Sequence, residues 1–381
     1  MKICIDARWI FRELSGIGLY TQELIRALAR IDTENDYILL FQSAELEDRV
    51  RADTRFHESP RFRSIRVPYG VFDLRSQIAL PGLLARLHID VFHSTNYMMP
   101  LFRLGRFQRV VTIHDLIPLL FPDHAPKSRK TRLFPLYRRL MLEVGRRAEI
   151  ILAPSASTRR DILRELQIPQ DRAYRVVVTP EGVTPDFRPG PRPTDRKEKV
   201  ILYVGRLDPY KNVPRLVEAL AGVRANGVPA RLRLVGPPDP RYPEARDRAR
   251  ELHVEPFVDW VGYVSHDQLI REYQTADVFC LPSRYEGFGL TVLEAMACGT
   301  PCVCSNIGSL PEVAGDAART VDPAILPQLV SALTEILSDP ALWHELSRRG
   351  LQRAAQFTWE RTARLTLDAY RRAAESASGT N

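Results

Sequence analysis

A chain of 381 residues is two to three times the size of a typical domain of roughly 100–200 residues, so at least two hydrophobic cores are expected. Hydrophobic residues at 45% and charged residues at 26% are ordinary for a globular protein, and no apolar run reaches the eighteen or so residues of a spanning helix. The net charge of +8 falls entirely in residues 1–185, which hold 29 Lys and Arg against 21 Asp and Glu, while the remainder balances at 25 against 25.

The opening segment "MKICIDARWIF" does not read as a signal peptide, because Asp6 and Arg8 interrupt the apolar stretch it would need. Five cysteines, an odd number without a secretory signal, point to a reducing compartment, so a cytoplasmic protein is expected. After the first apolar strand comes "SGIGLY", which places Gly16 and Gly18 between that strand and the helical pattern "GLYTQELIRALARI". The spacing is close to a dinucleotide fingerprint, but Thr21 stands where the third glycine belongs, and a glycine-rich loop that shapes a cleft fits equally well.

Short apolar runs continue through "YILLF", "SIRVP", "DVFHS", "RVVTIHD", "EIILAPS" and "YRVVVTPEG", separated by helical patterns. This alternation predicts parallel sheets covered on both faces. "VVTIHDLIP" sets His114 and Asp115 at the carboxyl end of a strand, where a histidine can act as acid or base or donate to a substrate oxygen, though such a pair is also common as a satisfied structural contact. Residues 127–147 carry eight basic side chains against Glu143 alone, with Leu133, Leu136, Leu140 and Val144 at helical spacing. This segment fits an anionic membrane surface or acidic substrate, or a solvated helix with an apolar core stripe. Neither a recognition helix nor interleaved aromatics accompany the charge, so no nucleic-acid partner is expected.

Residues 179–199 hold five prolines and a cluster of charge, the features of an interdomain linker. The alternation then restarts with "KVILYVG", "ARLRLVG", "FVDWVGYV", "DVFCLPS", "TPCVCS" and "ARTVD". Two doubly wound α/β domains of similar size follow, with the cleft between them as the expected ligand site. "VGRLDPYKN" puts Arg206 directly after a strand and Lys211 just before a helix, where two cations and free backbone N–H groups can grip a phosphate. In "PSRYEGFGLTVLEAMACGTP", Glu286 lies in the loop at the head of a helix and Glu294 roughly two turns later, and both need partners. Sugar or ribose hydroxyls would serve, as would buried arginines.

Cys298, Cys302 and Cys304 lie close together, but no histidine is near enough to complete a tetrahedral set, so buried apolar cysteines are expected and no metal site. The chain contains no Asp-x-Asp pair for a cation bridging a diphosphate, no GxSxG elbow and no GxxxxGK[ST] loop. These absences count against an α/β-hydrolase and a P-loop nucleotidase.

Taken together, "EGFGLTVLEAMACGTP", "GRLDPYKN", "IHD", "SGIG" and the tail "FTWERTARLTLDAYRRA" resemble the retaining glycosyltransferases of family four, which have the GT-B fold of two Rossmann-like domains facing across a cleft. The resemblance implies an acceptor-binding domain over residues 1–185, a nucleotide-sugar-binding domain over 186–355, and a closing helix over 356–381 that packs back on the first domain. It implies that Arg206 and Lys211 hold the donor diphosphate, Glu294 the ribose, Glu286 the transferred hexose, and His114 the sugar or its departing phosphate. Backbone at Phe288, Gly289 and Leu290 would complete the phosphate site, Tyr263 and Val264 would lie beside the base, and Gly16 and Gly18 would border the donor. Thr291 departs from the proline usual in the family. The wider pattern is similar to the bacterial mannosyltransferase branch, which implies GDP-mannose as first donor, a UDP-sugar as second, and a glycan or lipid-linked acceptor at the inner membrane surface. No cofactor or metal is implied. A sugar-nucleotide epimerase and a non-catalytic nucleotide-sugar-binding protein share the architecture and stand as alternatives.

Overall fold

The computed structural model describes residues 1–12, 16–122, 134–193 and 196–378, with side chains to residue 375. These form two compact units. The first draws on Met1–Leu116, Leu133–Gly182 and Thr358–Asn381, the second on Ile117–Arg132 and Val183–Phe357.

In the first unit, strands β1 (Lys2–Asp6), β2 (Asp36–Phe41), β3 (Phe62–Arg66), β4 (Val91–Ser94), β5 (Gln108–Thr112), β6 (Ile150–Ala153) and β7 (Val176–Val178) form one sheet in the order β3-β2-β1-β4-β5-β6-β7. Every pairing is parallel. The central strands are buried on both faces, which is why they read as continuous apolar runs without alternation. The helix Gly16–Ile31 covers one face, and the helix Trp359–Ser378, from the far end of the chain, packs against it. Trp359, Ala363, Leu367 and Tyr370 enter the same core as Ile3, Ile5 and Leu24. Gly182 admits the start of that helix, since a Cβ there would lie 2.3 Å from the Trp359 nitrogen. The expected placement of Gly16 and Gly18 in a loop is corrected: both are helical residues of the first turn, and a Cβ on Gly16 would meet nothing within 4 Å.

The basic segment also needs correction. Its residues 127–133, with Leu133, lie outside the described residues, and the helix Phe134–Arg147 buries Tyr137, Met141 and Val144 while Leu136 is exposed. Val144 is buried as expected and Leu140 half-buried, but Tyr137, packed edge-on against Tyr97, and Met141 take the inward places beside them.

The second unit repeats the winding with β8 (Lys199–Val204), β9 (Ala230–Val235), β10 (Val258–Gly262), β11 (Val278–Leu281), β12 (Cys302–Ser305) and β13 (Ala318–Val321) in the order β10-β9-β8-β11-β12-β13, again all parallel. The expectation of two doubly wound parallel sheets is met. In both sheets the order reverses beside the first strand, between β1 and β4 and between β8 and β11. At such a switch point the loops leaving adjacent strands run to opposite faces and open a crevice at the carboxyl ends. All five cysteines are reduced and buried, and burial pushes the Cys298 and Cys304 thiols up to about 12. Among the described residues, no group of three or more His, Cys, Asp or Glu side chains converges as a metal site, and no helix is long and apolar enough to cross a membrane.

At the first unit's switch point Arg8 and Asp6 form a fully buried ion pair. Arg8 Nε donates to Asp6 Oδ1 and Nη2 to Asp6 Oδ2, both at 2.7 Å, while Nη1 donates to the Tyr69 carbonyl and to Ser76 Oγ at 3.2 and 2.9 Å. The Nη1 contacts tie the end of β1 to the helix Arg75–Arg86 and its approach. Arg8→Met would strand the Asp6 carboxylate and is expected to cost about 3–5 kcal/mol in the first unit's urea transition. A loss under about 1 kcal/mol, the size of an exposed pair, would show that the pair is not structural.

Candidate active site

The second unit's switch point gathers the cations and carboxylates singled out in the sequence. Beyond β8 the chain passes Gly205, makes the short turn Pro209–Lys211, and enters the helix Val213–Ala225 through Asn212 in a left-handed conformation (φ 60°). Asn212 Nδ2 donates to the carbonyls of Pro282 and Pro323, each at 3.2 Å, which fastens this loop to the chains leaving β11 and β13. The Arg284 N–H donates to the Tyr210 carbonyl at 2.7 Å and adds a second tie. On the other side, Ser309 Oγ donates to the carbonyls of Glu286 and Phe288 at 2.9 and 2.7 Å, and Ser305 Oγ donates to the Ser283 carbonyl at 2.6 Å. Two loops from neighbouring strands are therefore held in a fixed relation.

Between them, Lys211 Nζ donates to Glu286 Oε1 and Oε2 at 2.7 and 3.0 Å, and Ser283 Oγ donates to Oε1 at 2.6 Å. Burial works against the lysine's charge, but the adjacent Glu286 carboxylate outweighs it and raises the Lys211 pKa. Lys211 therefore stays an ammonium throughout the neutral range. Arg206 lies at the rim, about half exposed, with Nε 2.9 Å from Asp208 Oδ2 and Nη2 3.4 Å from the Tyr210 hydroxyl. Asp208 is buried, and its Oδ2 meets Arg206 as an ion pair outside hydrogen-bond alignment. Burial raises its pKa, against the pull of Arg206 and Lys211. Tyr210 and Tyr285 pack with Ile117, also of the second unit, and form the apolar wall.

The helix Leu290–Ala297 starts at Gly289, whose φ of 109° and a would-be Cβ only 2.6 Å from Leu310 Cδ2 both demand glycine. Glu294 lies inside that helix, buried, and accepts from the Tyr273 hydroxyl at 2.8 Å. For Glu286 the alternative of a buried arginine as partner is thus corrected, since a lysine and a serine satisfy it. The structure brings Arg206, Lys211 and Glu286 together around Tyr210, with Phe288, Gly289 and Leu290 on the Glu286 loop. Tyr263 and Val264 follow β10, with Tyr263 well exposed.

His114 and the two glycines belong to the first unit. Its Nδ1 lies 2.9 Å from Glu181 Oε1 and its Nε2 lies 3.0 Å from the Thr95 carbonyl, both oxygens that can only accept. An acceptor on each ring nitrogen favours the protonated ring. Burial opposes that charge, yet Glu181 and the Thr95 carbonyl prevail and raise the pKa. Its hydrogen-bonding capacity is committed within the unit, so a substrate oxygen would have to displace one of these partners. Glu181, Asp208, Tyr273 and Ser283 did not emerge from the sequence. "TPEG" and "LDPYKN" hold a carboxylate just past a strand end, the one signal that could have pointed to Glu181 and Asp208.

Two parallel sheets with a cation–carboxylate pair at a switch point are the framework of a GT-B glycosyltransferase, and comparisons with known proteins agree. Residues 14–187 match the model of Glycosyltransferase Family 4, and residues 187–353 match that of Glycosyl transferases group 1. O-antigen chain mannosyltransferase B of Escherichia coli is 31% identical over 410 residues, covering 97% of this chain and 100% of the relative. The MMP alpha-(1->4)-mannosyltransferase of Mycolicibacterium hassiacum is 31% identical over 317 residues, 79% of this chain and 74% of the relative. Sucrose-phosphate synthase from Thermosynechococcus elongatus superposes with a TM-score of 0.74 at 22% identity, covering 99% of this chain and 100% of that one. The chain belongs to glycosyltransferase family 4.

A histidine whose folded pKa is raised contributes stability that is present below its unfolded value of about 6.5 and lost as pH rises through the folded value. The stability gap between the wild type and His114→Gln is therefore expected to be widest below about pH 6.5 and to narrow above it. Thermal melts across the neutral range measure this, and a gap that widens with pH would contradict the imidazolium assignment.

Proposed function

We propose that the protein transfers a hexose, mannose in the first instance, from a nucleotide diphosphate sugar to a glycan or lipid-linked acceptor in cell-surface polysaccharide synthesis, with retention of anomeric configuration. GDP-mannose is the first donor and a UDP-sugar the second. The observation that carries this is the Lys211–Glu286 pair at the β8/β11 switch point. The mannosyltransferase names of the two relatives support the choice of sugar.

Transfer forms a bond between an acceptor oxygen and the anomeric carbon as the bond from that carbon to the diphosphate oxygen breaks. Negative charge grows on the leaving diphosphate, and fixed donors aimed there lower the barrier. Lys211 and Arg206 supply cations, and the N–H groups of Phe288, Gly289 and Leu290 at a helix head supply dipoles. Glu286 accepts from hexose hydroxyls, Glu294 from the ribose, Tyr263 and Val264 border the base, and His114 of the first unit meets the sugar or its phosphate. Without donor, Lys211 and Glu286 neutralise each other. A diphosphate competing for Nζ frees carboxylate oxygen for the hexose, so one ligand separates the pair with its two ends.

In the front-face route the acceptor proton passes to the departing phosphate. Glu286 as a covalent nucleophile is the less favoured alternative. The reaction is proposed to need no metal, with the two cationic side chains in its place. Residues 1–185 would receive the acceptor and 186–355 the donor.

In a thermal-shift panel of nucleotide sugars, GDP-mannose at about 100 times its dissociation constant should add roughly 2.7 kcal/mol of stability. Glu286→Ala should keep the nucleotide shift and lose turnover, while Lys211→Ala should lower turnover by about 10²–10³. Conversion of a nucleotide sugar without acceptor would mean an epimerase instead, and full turnover by Glu286→Ala would overturn the site.

A further inference from the structure

Large apolar side chains stand exposed on one part of the first unit in a way that folding does not explain. The helix Arg75–Arg86 buries Ser76, Leu80 and Leu84 on its inner face, yet Leu74 at its cap and Ile78 one turn later are 80% and 77% exposed. Phe72, just before the helix, is also exposed. A helix of a water-soluble surface carries polar residues at these outward places.

The loop "LFRLGR", residues 101–106, lies against the same helix. Gln77 Nε2 donates to the Met99 carbonyl at 3.0 Å, the Leu101 N–H donates to Gln77 Oε1 at 2.9 Å, and a Cβ on Gly105 would meet Ala85 at 3.5 Å. In this loop Phe102 and Leu104 alternate with Arg103 and Arg106, and all four are exposed. Arg147 donates to the Leu101 carbonyl at 3.0 Å and lies over the Phe102 ring, which joins the basic helix Phe134–Arg147 to the loop. Scattered exposed apolar residues are ordinary, but five on two hydrogen-bonded segments, interleaved with arginine, mark an interaction surface.

We infer that this surface, Phe72, Leu74, Ile78, Phe102 and Leu104 with Arg103 and Arg106, seats the first unit on an anionic lipid bilayer. The apolar side chains enter the boundary between headgroups and acyl chains, and the arginines lie along it with their charges among lipid phosphates. Charge decides for this occupant: all the chain's excess positive charge lies in residues 1–185, and the carboxylates Asp73, Glu143 and Glu149 near the patch are each paired with arginine, Asp73 with Arg75, Glu143 with Arg146 and Arg147, and Glu149 with Arg103 and Arg109. The inference is independent of the donor and the reaction proposed above. It uses none of residues 127–133.

Sedimentation of the full chain with phosphatidylcholine vesicles, with and without phosphatidylglycerol, tests it. The protein should pellet with the anionic vesicles at low salt and stay in solution with the neutral ones. Ile78→Asp with Phe102→Asp should weaken this binding about tenfold or more, with unchanged melting temperature and unchanged turnover of a water-soluble acceptor. Arg103→Ala with Arg106→Ala should weaken it roughly tenfold and flatten the salt dependence, again with unchanged melting temperature, which is checked because Arg103 also donates to the Phe107 carbonyl and pairs with Glu149. Failure of the wild type to pellet, or wild-type binding by both variants, would overturn the inference. So would a dimer in light scattering that Ile78→Asp dissolves while vesicles remain unbound, since the occupant would then be a second copy.

Discussion

The buried contact between Lys211 and Glu286 is the constraint around which the second unit is arranged. Taking both charges out of water is costly, and the contact persists only because its geometry is bidentate and Ser283 adds a further hydrogen bond. That geometry depends on strand order: β8 and β11 are neighbours, so the loops that leave them emerge side by side. Asn212 and Ser309 then hold the two loops from behind, through backbone carbonyls rather than through the charged groups. The supports can stay in place while the charged pair exchanges partners, which is what a site binding both phosphate and sugar requires.

The first unit shows how local chemistry sets charge. His93 and His114 stand in the same sheet region, yet burial lowers the His93 pKa to about 3 while that of His114 is raised. The difference lies in their neighbours. His93 meets the hydroxyls of Tyr370 and Thr112, at 2.6 and 2.9 Å, which can serve either a protonated or a bare nitrogen. His114 meets a carboxylate and a carbonyl, which accept only. Burial alone would make both neutral, and Glu181 reverses the outcome for one.

The sheets were legible because their strands are buried on both faces and so appear as uninterrupted apolar runs between helical patterns. Arg206, Lys211 and Glu286 were legible as a group because each follows a strand end, where a doubly wound sheet exposes its loops. Their pairing was not. Whether Glu286 meets a lysine or an arginine depends on contacts 75 residues apart, which spacing does not encode. Gly16 and Gly18 were misplaced because glycine signals a loop by composition, whereas both lie in the first turn of a helix. Part of the buried face of Phe134–Arg147 was missed for a related reason: periodicity ranked leucines above Tyr137, and a tertiary aromatic contact decided otherwise.

The helix Trp359–Ser378 belongs to the first unit although the whole second unit intervenes in the chain. The first unit's core is therefore closed late: Trp359 and Tyr370 enter it from a helix that is synthesised after all six strands of the second sheet, so the seven-stranded sheet lacks part of its cover until that helix is made.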